Sequence, residues 1–425
     1  MRGGKYRMEA SRIVRVVSRF ACVFGLVLSL SNGSKAASPI AVQAEELPRI
    51  FAEASAEFDV PSQILEAIAF VESRWTISPR LEKLQPQLNE FWVSGIDSSE
   101  SHQRSFTLMG LRDDAWFGRS LLQAARLIGQ DPRALLNDPR LAIRGAAAYL
   151  RSLSRDPRLG IELAIKRQLA RTQAERLAAW SKVVSKYSGI PTPEDARDYV
   201  GEVYRTLNRG AQTRSALIVK VDGVFDPALI SLPVSAWDST PGTGDPGLPK
   251  GAEYPKAIWD PSPNIDRNGL KARQIVIHTT QGSFAGAVSW LKNPSAKVSS
   301  HYVIRSSDGF VKQLVRESDK AWHARCWNPR TIGIEHEAYM ESPDYFTEAM
   351  LESSADLVAY LSNKHQIPAD GLNVFGHNFW SRPEFKQSEL YRDGLICNNH
   401  GDPGKFWDWT AFMARVQNHL SSSVR

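Results

Sequence analysis

Residues 274–282 read Gln-Ile-Val-Ile-His-Thr-Thr-Gln-Gly. Three β-branched residues running into a histidine predict a buried strand that delivers the imidazole of His278 to its C-terminal end. A lone histidine is more often a core residue satisfied by one hydrogen bond, so the neighbours decide. Of nine histidines all but His102 follow residue 277, and His278, His377 and His400 sit at strand ends or beside turn residues. Asp402 precedes Pro403 and Gly404, which predict a tight loop that aims its carboxylate. A catalytic zinc takes three nitrogen or oxygen ligands and keeps one position open. His278, His377 and Asp402 supply that set, although separations of 99 and 25 residues are not diagnostic. In residues 331–337 a predicted strand carries Glu335 and Glu337 on one face and His336 on the other. Facing a metal, Glu335 takes a proton from the attacking water; standing alone, it is a solvated strand end. A second carboxylate candidate, Glu72, ends an apolar helix and suits a general acid with a raised pKa, or a surface residue at a helix terminus.

The elements that position these residues fall into two classes. Helical periodicity begins with Ile64, Leu65, Ile68 and Val71 behind Asp59-Val60-Pro61-Ser62, and returns at 119–128, 141–153, 164–187 and 194–207. Strand signals are nearly absent from 46–210, which predicts an all-α N-terminal domain over 45–223. Residues 224–253 are rich in Pro, Gly, Asp and Ser and read as a linker. From 254 to 425 strands (275–279, 301–305, 310–315, 331–337, 373–376) alternate with helices (284–291, 346–364, 409–420). That alternation predicts a second, α/β domain with a mixed sheet flanked by helices.

Residues 1–44 combine a basic start, an apolar run at 20–30 and small residues at Ala36 and Ala44, the pattern of a secretory signal peptide. The run is shorter than the ~18 residues that argue for a membrane span, so no integral membrane segment is expected once the signal is removed. Residues 1–36 hold seven Lys/Arg and one Glu, so the whole net charge of +6 resides there, and no nucleic-acid partner follows from it. The expected destination is outside the cytoplasm, periplasmic or secreted. There Cys326 and Cys397 are able to pair if their geometry allows.

Two resemblances sharpen this reading. In the helical half "VPSQILEAIAFVESRW", "TLMGL", "DPRLAIRGAAAYLRSL", "KYSG" and "ARDYVGEVY" follow the order of the lysozyme-like domain of soluble lytic transglycosylases. That resemblance implies Glu72 as the sole catalytic acid/base and Tyr187 as a substrate-binding residue. Two motifs depart from it: Gly110 stands where that family usually has Gln, and Ser188-Gly189 where it has Asn-Ala-Gly. A long insertion, 77–106, also intervenes. In the second half "IVIHTT", "SSHYVIRSSDGFVKQLV", "AWHARCWN", "TIGIEHEAY", "VFGH" and "GDPGKFWDW" resemble the zinc-dependent N-acetylmuramoyl-L-alanine amidases, which share a fold with peptidoglycan recognition proteins and phage amidase lysozymes. This implies Zn2+ held by His278, His377 and Asp402, Glu335 as the catalytic glutamate, and His400 where related amidases carry an oxyanion-stabilising lysine. It further places His323 in the substrate groove. The expected function is an exported peptidoglycan hydrolase that cuts between N-acetylmuramic acid and the L-alanine of the stem peptide. The helical domain is expected to bind or cleave the glycan. The alternatives are a non-catalytic peptidoglycan-binding module, a bifunctional amidase and lytic transglycosylase, or a peptidase acting within the stem.

Overall fold

The computed structural model describes residues 46–75, 107–212, 217–218, 221 and 251–422. The expected signal peptide, the 77–106 insertion and most of the 224–253 linker lie outside those residues. The described residues all fall within one compact unit.

The first half is helical as expected: α1 (Leu47–Phe58), α2 (Ser62–Ser73), α3 (Ser120–Leu127), α4 (Pro132–Asn137), α5 (Pro139–Ser154), α6 (Pro157–Leu169), α7 (Gln173–Ala178), α8 (Ser181–Tyr187) and α9 (Pro193–Arg209). Three of these start on the same device. Asp131, Asp138 and Asp156 each accept a hydrogen bond from the backbone N–H two residues on, with proline at the next position. The carboxylate satisfies an orphan donor and the proline fixes φ where no N–H is needed. A short antiparallel pair, β1 (Ala211–Gln212) and β2 (Leu217–Ile218), follows, where no strand was expected.

The second half is built on a mixed sheet in the order β10-β5-β9-β6-β7-β3. Its strands are β3 (Ala257–Trp259), β5 (Gln274–Thr279), β6 (Tyr302–Ile304), β7 (Val311–Gln313), β9 (Thr331–His336) and β10 (Val374–Gly376), with β4 (Ile265–Asp266) and β8 (Lys320–Ala321) as a separate pair. The helices are α10 (Phe284–Leu291), α11 (Glu348–His365), α12 (Glu389–Arg392) and α13 (Trp409–Ser422). The period of two along each strand sorts side chains between two cores. Ile275, Ile277, Ile332, Ile334 and Val374 pack with Met350, Leu357 and Leu361 of α11 and Phe412 and Val416 of α13. On the opposite face Val276 and Phe375 meet Trp327 and Phe379, while Val303 meets Phe284, Val288 and Leu291 of α10.

Helix α10 has no charged residue and is apolar nearly all round, which is the composition of a helix covered on more than one side. Its other cover comes from the helical half: Ala285 and Trp290 join the core built by α1–α9. Buried ionic contacts reinforce that junction. Lys292 Nζ donates to Asp195 (3.0 Å) and Asp260 (2.5 Å), and Lys312 Nζ to Asp198 (2.5 Å) and Asp260 (2.7 Å). Arg74, sandwiched between the Phe70 and Tyr345 rings, donates to Glu337 at 3.3 Å. Desolvation makes each of these charges expensive alone, so the two halves hold one another's partners.

Candidate metal and active site

Parallel pairing sets the site. β10 pairs β5 with Gly376 opposite Ile277, and β5 pairs β9 with His278 opposite Glu335. Three adjacent strands therefore present His377, His278 and Glu335 in a row at their C-terminal ends, on the face that carries Val276 and Phe375. The carboxyl ends of parallel strands are where open α/β sheets place ligands. Asp402 comes from the loop after α12, and its approach needs a glycine on the sheet. A Cβ on Gly376 would lie 2.4 Å from Pro403 Cδ and 3.2 Å from Asp402 O. His278, His377 and Asp402 each offer a ligand atom, all within 4.8 Å of one another and all buried.

Hydrogen bonds behind the histidines settle which nitrogen faces inward. His323 Nε2 lies 3.1 Å from the Thr331 carbonyl, so it carries the proton and leaves Nδ1 as an acceptor. His278 Nε2, 2.9 Å from that Nδ1, must then donate. His377 Nε2 likewise donates to Asn398 Oδ1 at 2.9 Å, the amide being oriented by its own bond to the Ala324 carbonyl at 3.2 Å. Both rings thus turn Nδ1 toward Asp402, at 2.9 Å from His278 and 3.4 Å from His377. Only a proton or a cation at Nδ1 makes that approach to a carboxylate favourable. Burial opposes the Asp402 charge, but the His377 and His278 rings hold its carboxyl well below the usual range. A metal bound there would displace ring protons. The donor set fits a divalent cation of borderline softness such as zinc.

Glu335 is the base candidate beside this set. Burial, and then the Asp402 charge, push its carboxyl well above the ordinary value. Its Oε2 is buried with no hydrogen-bond partner among the described residues, an orphan that a water held between it and the cation would satisfy. His400 stacks on His377 with centroids 4.3 Å apart and planes 5° apart, and its Nδ1 is 4.0 Å from Asp402. Glu335, His400, His323, Arg325, Trp322 and Trp290 line one cleft of about 210 Å³. His323 therefore both lines the cleft and holds the His278 ring. A Cβ on Gly333 would lie 2.6 Å from His323 Nδ1, so the glycine makes room for that ring.

Sequence reasoning missed Asn398, and it left the Cys326–Cys397 pairing open. The structure forms the disulfide, with Cα atoms 6.1 Å apart. It ties the segment carrying Asn398 and His400 to the turn after His323. His301 and His336 are buried structural residues: His301 accepts from Gly333 N and donates to Asp319 O, while His336 bridges the His278 carbonyl and Ser354 of α11.

The two candidates of the helical half lie apart from this set. Glu72 is 2 % exposed, and its Oε2 accepts from Arg112 Nη2 at 3.0 Å. Burial raises its carboxyl and Arg112 opposes the rise. Tyr187 is buried and its hydroxyl donates to the Met109 carbonyl at 2.6 Å, bracing the 107–111 turn.

With that geometry in view, the comparisons with known proteins address one part of the chain. A family model described as N-acetylmuramoyl-L-alanine amidase matches residues 268–405. N-acetylmuramoyl-L-alanine amidase A of Achromobacter lyticus is 35% identical over 171 residues, spanning 38% of this chain and 93% of that protein. Solved structures similar to it include an AmpD selenomethionine derivative (26% identity, 38% of this chain, 95% of that one, TM-score 0.28). A mutant endolysin from Bacillus subtilis is another (23% identity, 38% of this chain, 97% of that one, TM-score 0.28). The chain belongs to the N-acetylmuramoyl-L-alanine amidase family. The family match begins at residue 268, so the helical half lies outside it.

Proposed function

We propose that this protein is an exported, zinc-dependent peptidoglycan amidase that hydrolyses the bond between N-acetylmuramic acid and the L-alanine of the stem peptide. The observation that carries the reading is the row His377–His278–Glu335 on three paired strands, completed by Asp402, in a chain of this family. Zinc held by His278, His377 and Asp402 supplies Lewis acidity, polarising the scissile carbonyl and lowering the pKa of water.

The chain's own residues do the rest. Glu335, whose carboxyl is raised by burial and by the Asp402 charge, takes a proton from the attacking water as its carboxylate and returns it to the leaving L-alanine nitrogen. His400, stacked on His377 at the cleft wall, donates a hydrogen bond to the oxyanion as the carbonyl becomes tetrahedral. His323 and Asn398 keep the two ligand rings in the tautomer the metal needs. Trp290 and Trp322 give the cleft apolar walls that exclude water from the reacting bond.

The test is digestion of purified sacculi by the zinc-loaded mature protein and by its Glu335→Ala variant, with products read by mass spectrometry. Free stem peptides bearing an L-alanine amino terminus are expected from the parent and not from the variant. Retained binding with no cleavage would leave a recognition module instead.

A further inference from the structure

The helical half carries a carboxylate, Glu72, that its resemblance to glycan-cleaving enzymes marks as an acid. The geometry points to a different task. We propose that Glu72 is a positioning residue for the amidase cleft, acting through Arg112 and Phe117 on Trp290, and is not the acid of a second, glycan-cleaving centre.

The connection is continuous. Glu72 Oε2 accepts from Arg112 Nη2 at 3.0 Å, and the two side chains are only 3% and 4% exposed. The Arg112 guanidinium lies over the Phe117 ring, 4.4 Å from its centroid. Phe117 stacks on Trp290, with centroids 6.2 Å apart and planes 22° apart. Trp290 lines the cleft that holds Glu335, His323 and His400. Beside Phe117, Trp116 donates its indole N–H to Ser289 of the same helix, α10, at 3.0 Å. The wall of the amidase cleft is thus held from outside the sheet, by a turn of the helical half.

Two glycines, Gly110 at a departure from the lytic-transglycosylase pattern and Gly189 in the shortened tyrosine motif, serve this arrangement. A Cβ on Gly110 would lie 2.3 Å from Glu72 Cδ, so the carboxyl group occupies the space where any larger residue would stand. A Cβ on Gly189 would lie 2.0 Å from the Phe117 carbonyl oxygen, so only glycine lets the 112–118 turn close against that loop. Both glycines adopt positive φ, +70° and +69°. A glycan acid has to reach its substrate oxygen within hydrogen-bond distance. Glu72 instead spends its carboxylate on a buried arginine, and breaking such a pair strands a charge.

The test compares the full-length parent with Glu72→Gln, Phe117→Ala, the conservative Phe117→Leu, and the paired apolar replacement Glu72→Met/Arg112→Met, which removes both charges together and strands neither. KM and kcat are measured for amide cleavage of a soluble muropeptide. Its Kd is measured by calorimetry on the same proteins, and anhydro-muramyl ends are counted after digestion of sacculi. Phe117→Ala is expected to raise KM and Kd about tenfold with kcat changed less than about twofold, a loss of binding shared by ground and transition states. Phe117→Leu should restore most of the loss, and adding Glu72→Gln to Phe117→Ala should raise KM and Kd no further. No protein should produce anhydro-muramyl ends. A purely structural role would lower Tm and the active fraction and leave KM unmoved, which overturns the proposal. So do anhydro-muramyl ends from the parent that vanish with Glu72→Gln. The kinetic readout rests on the amidase reading; binding without turnover refutes that reading while Kd still decides this one. A parent that neither binds nor cuts refutes both.

Discussion

Gly333→Ala isolates the least obvious part of the site. The new methyl would lie 2.6, 2.7 and 2.9 Å from Nδ1, Cγ and Cε1 of His323. Those contacts are shorter than any real Cβ shows, and Gly333 is fixed by pairing to Val276 on one side. The imidazole must therefore move, and its 2.9 Å bond to His278 Nε2 is lost. His278 is then free to turn its proton inward, which removes the lone pair the metal needs. Loss of one such supporting contact typically lowers metal affinity ~10–100-fold, and crowding a packed core costs about 1–3 kcal/mol. Chelator competition would read the zinc Kd, and thermal unfolding of metal-free protein would read the stability. The expected result is a Kd weakened at least tenfold, together with a lower Tm. A lower Tm with unchanged zinc affinity would refute the argument that His323 orients His278.

Three further outcomes follow from other parts of the molecule. Lys312→Met should cost about 3–5 kcal/mol in denaturant unfolding, because Asp198 loses the ammonium it pairs with and Asp260 keeps only Lys292. His301 is fully buried and desolvation lowers its pKa from 6.5 to about 4. As pH falls below 6.5 the unfolded chain takes up that proton first, so stability present at neutral pH declines by about 3 kcal/mol by pH 4. His301→Gln should flatten that part of the stability profile. Cys326→Ser/Cys397→Ser should lose about 2–4 kcal/mol, since the bond closes a loop of 71 residues, and should weaken zinc binding through Asn398.

What the sequence made legible was the set of strand-borne residues. His278, Glu335 and His377 each close a short β-branched or apolar run, and the period of two puts them on one face. The helix at residues 284–291 was visible too, while its cover from the helical half emerged only in the structure. Asn398 was not legible, because nothing in Ile-Cys-Asn-Asn-His marks one asparagine as the partner of a histidine 21 residues away. Gly333 did carry a signal: a glycine inside a buried strand marks a close approach. Lys312 misleads, since alternation in Phe-Val-Lys-Gln-Leu reads as a strand turning its lysine to solvent. α9 covers that face instead and brings Asp198 from 114 residues away. The role of the helical half was hidden for the same reason. Its contacts to the sheet depend on which residues meet across the fold, and spacing along the chain does not encode that.

The most direct test of the account places the label where the bond breaks. A synthetic muramyl peptide is hydrolysed by the zinc-loaded protein in 18O-enriched water, and the fragments are analysed by mass spectrometry. Amide hydrolysis at this bond leaves one 18O in the lactyl carboxylate of the muramic acid and an unlabelled peptide with a free L-alanine amino group. Label in a peptide carboxylate would make the protein a peptidase, and no label in either fragment would contradict hydrolysis at this site altogether.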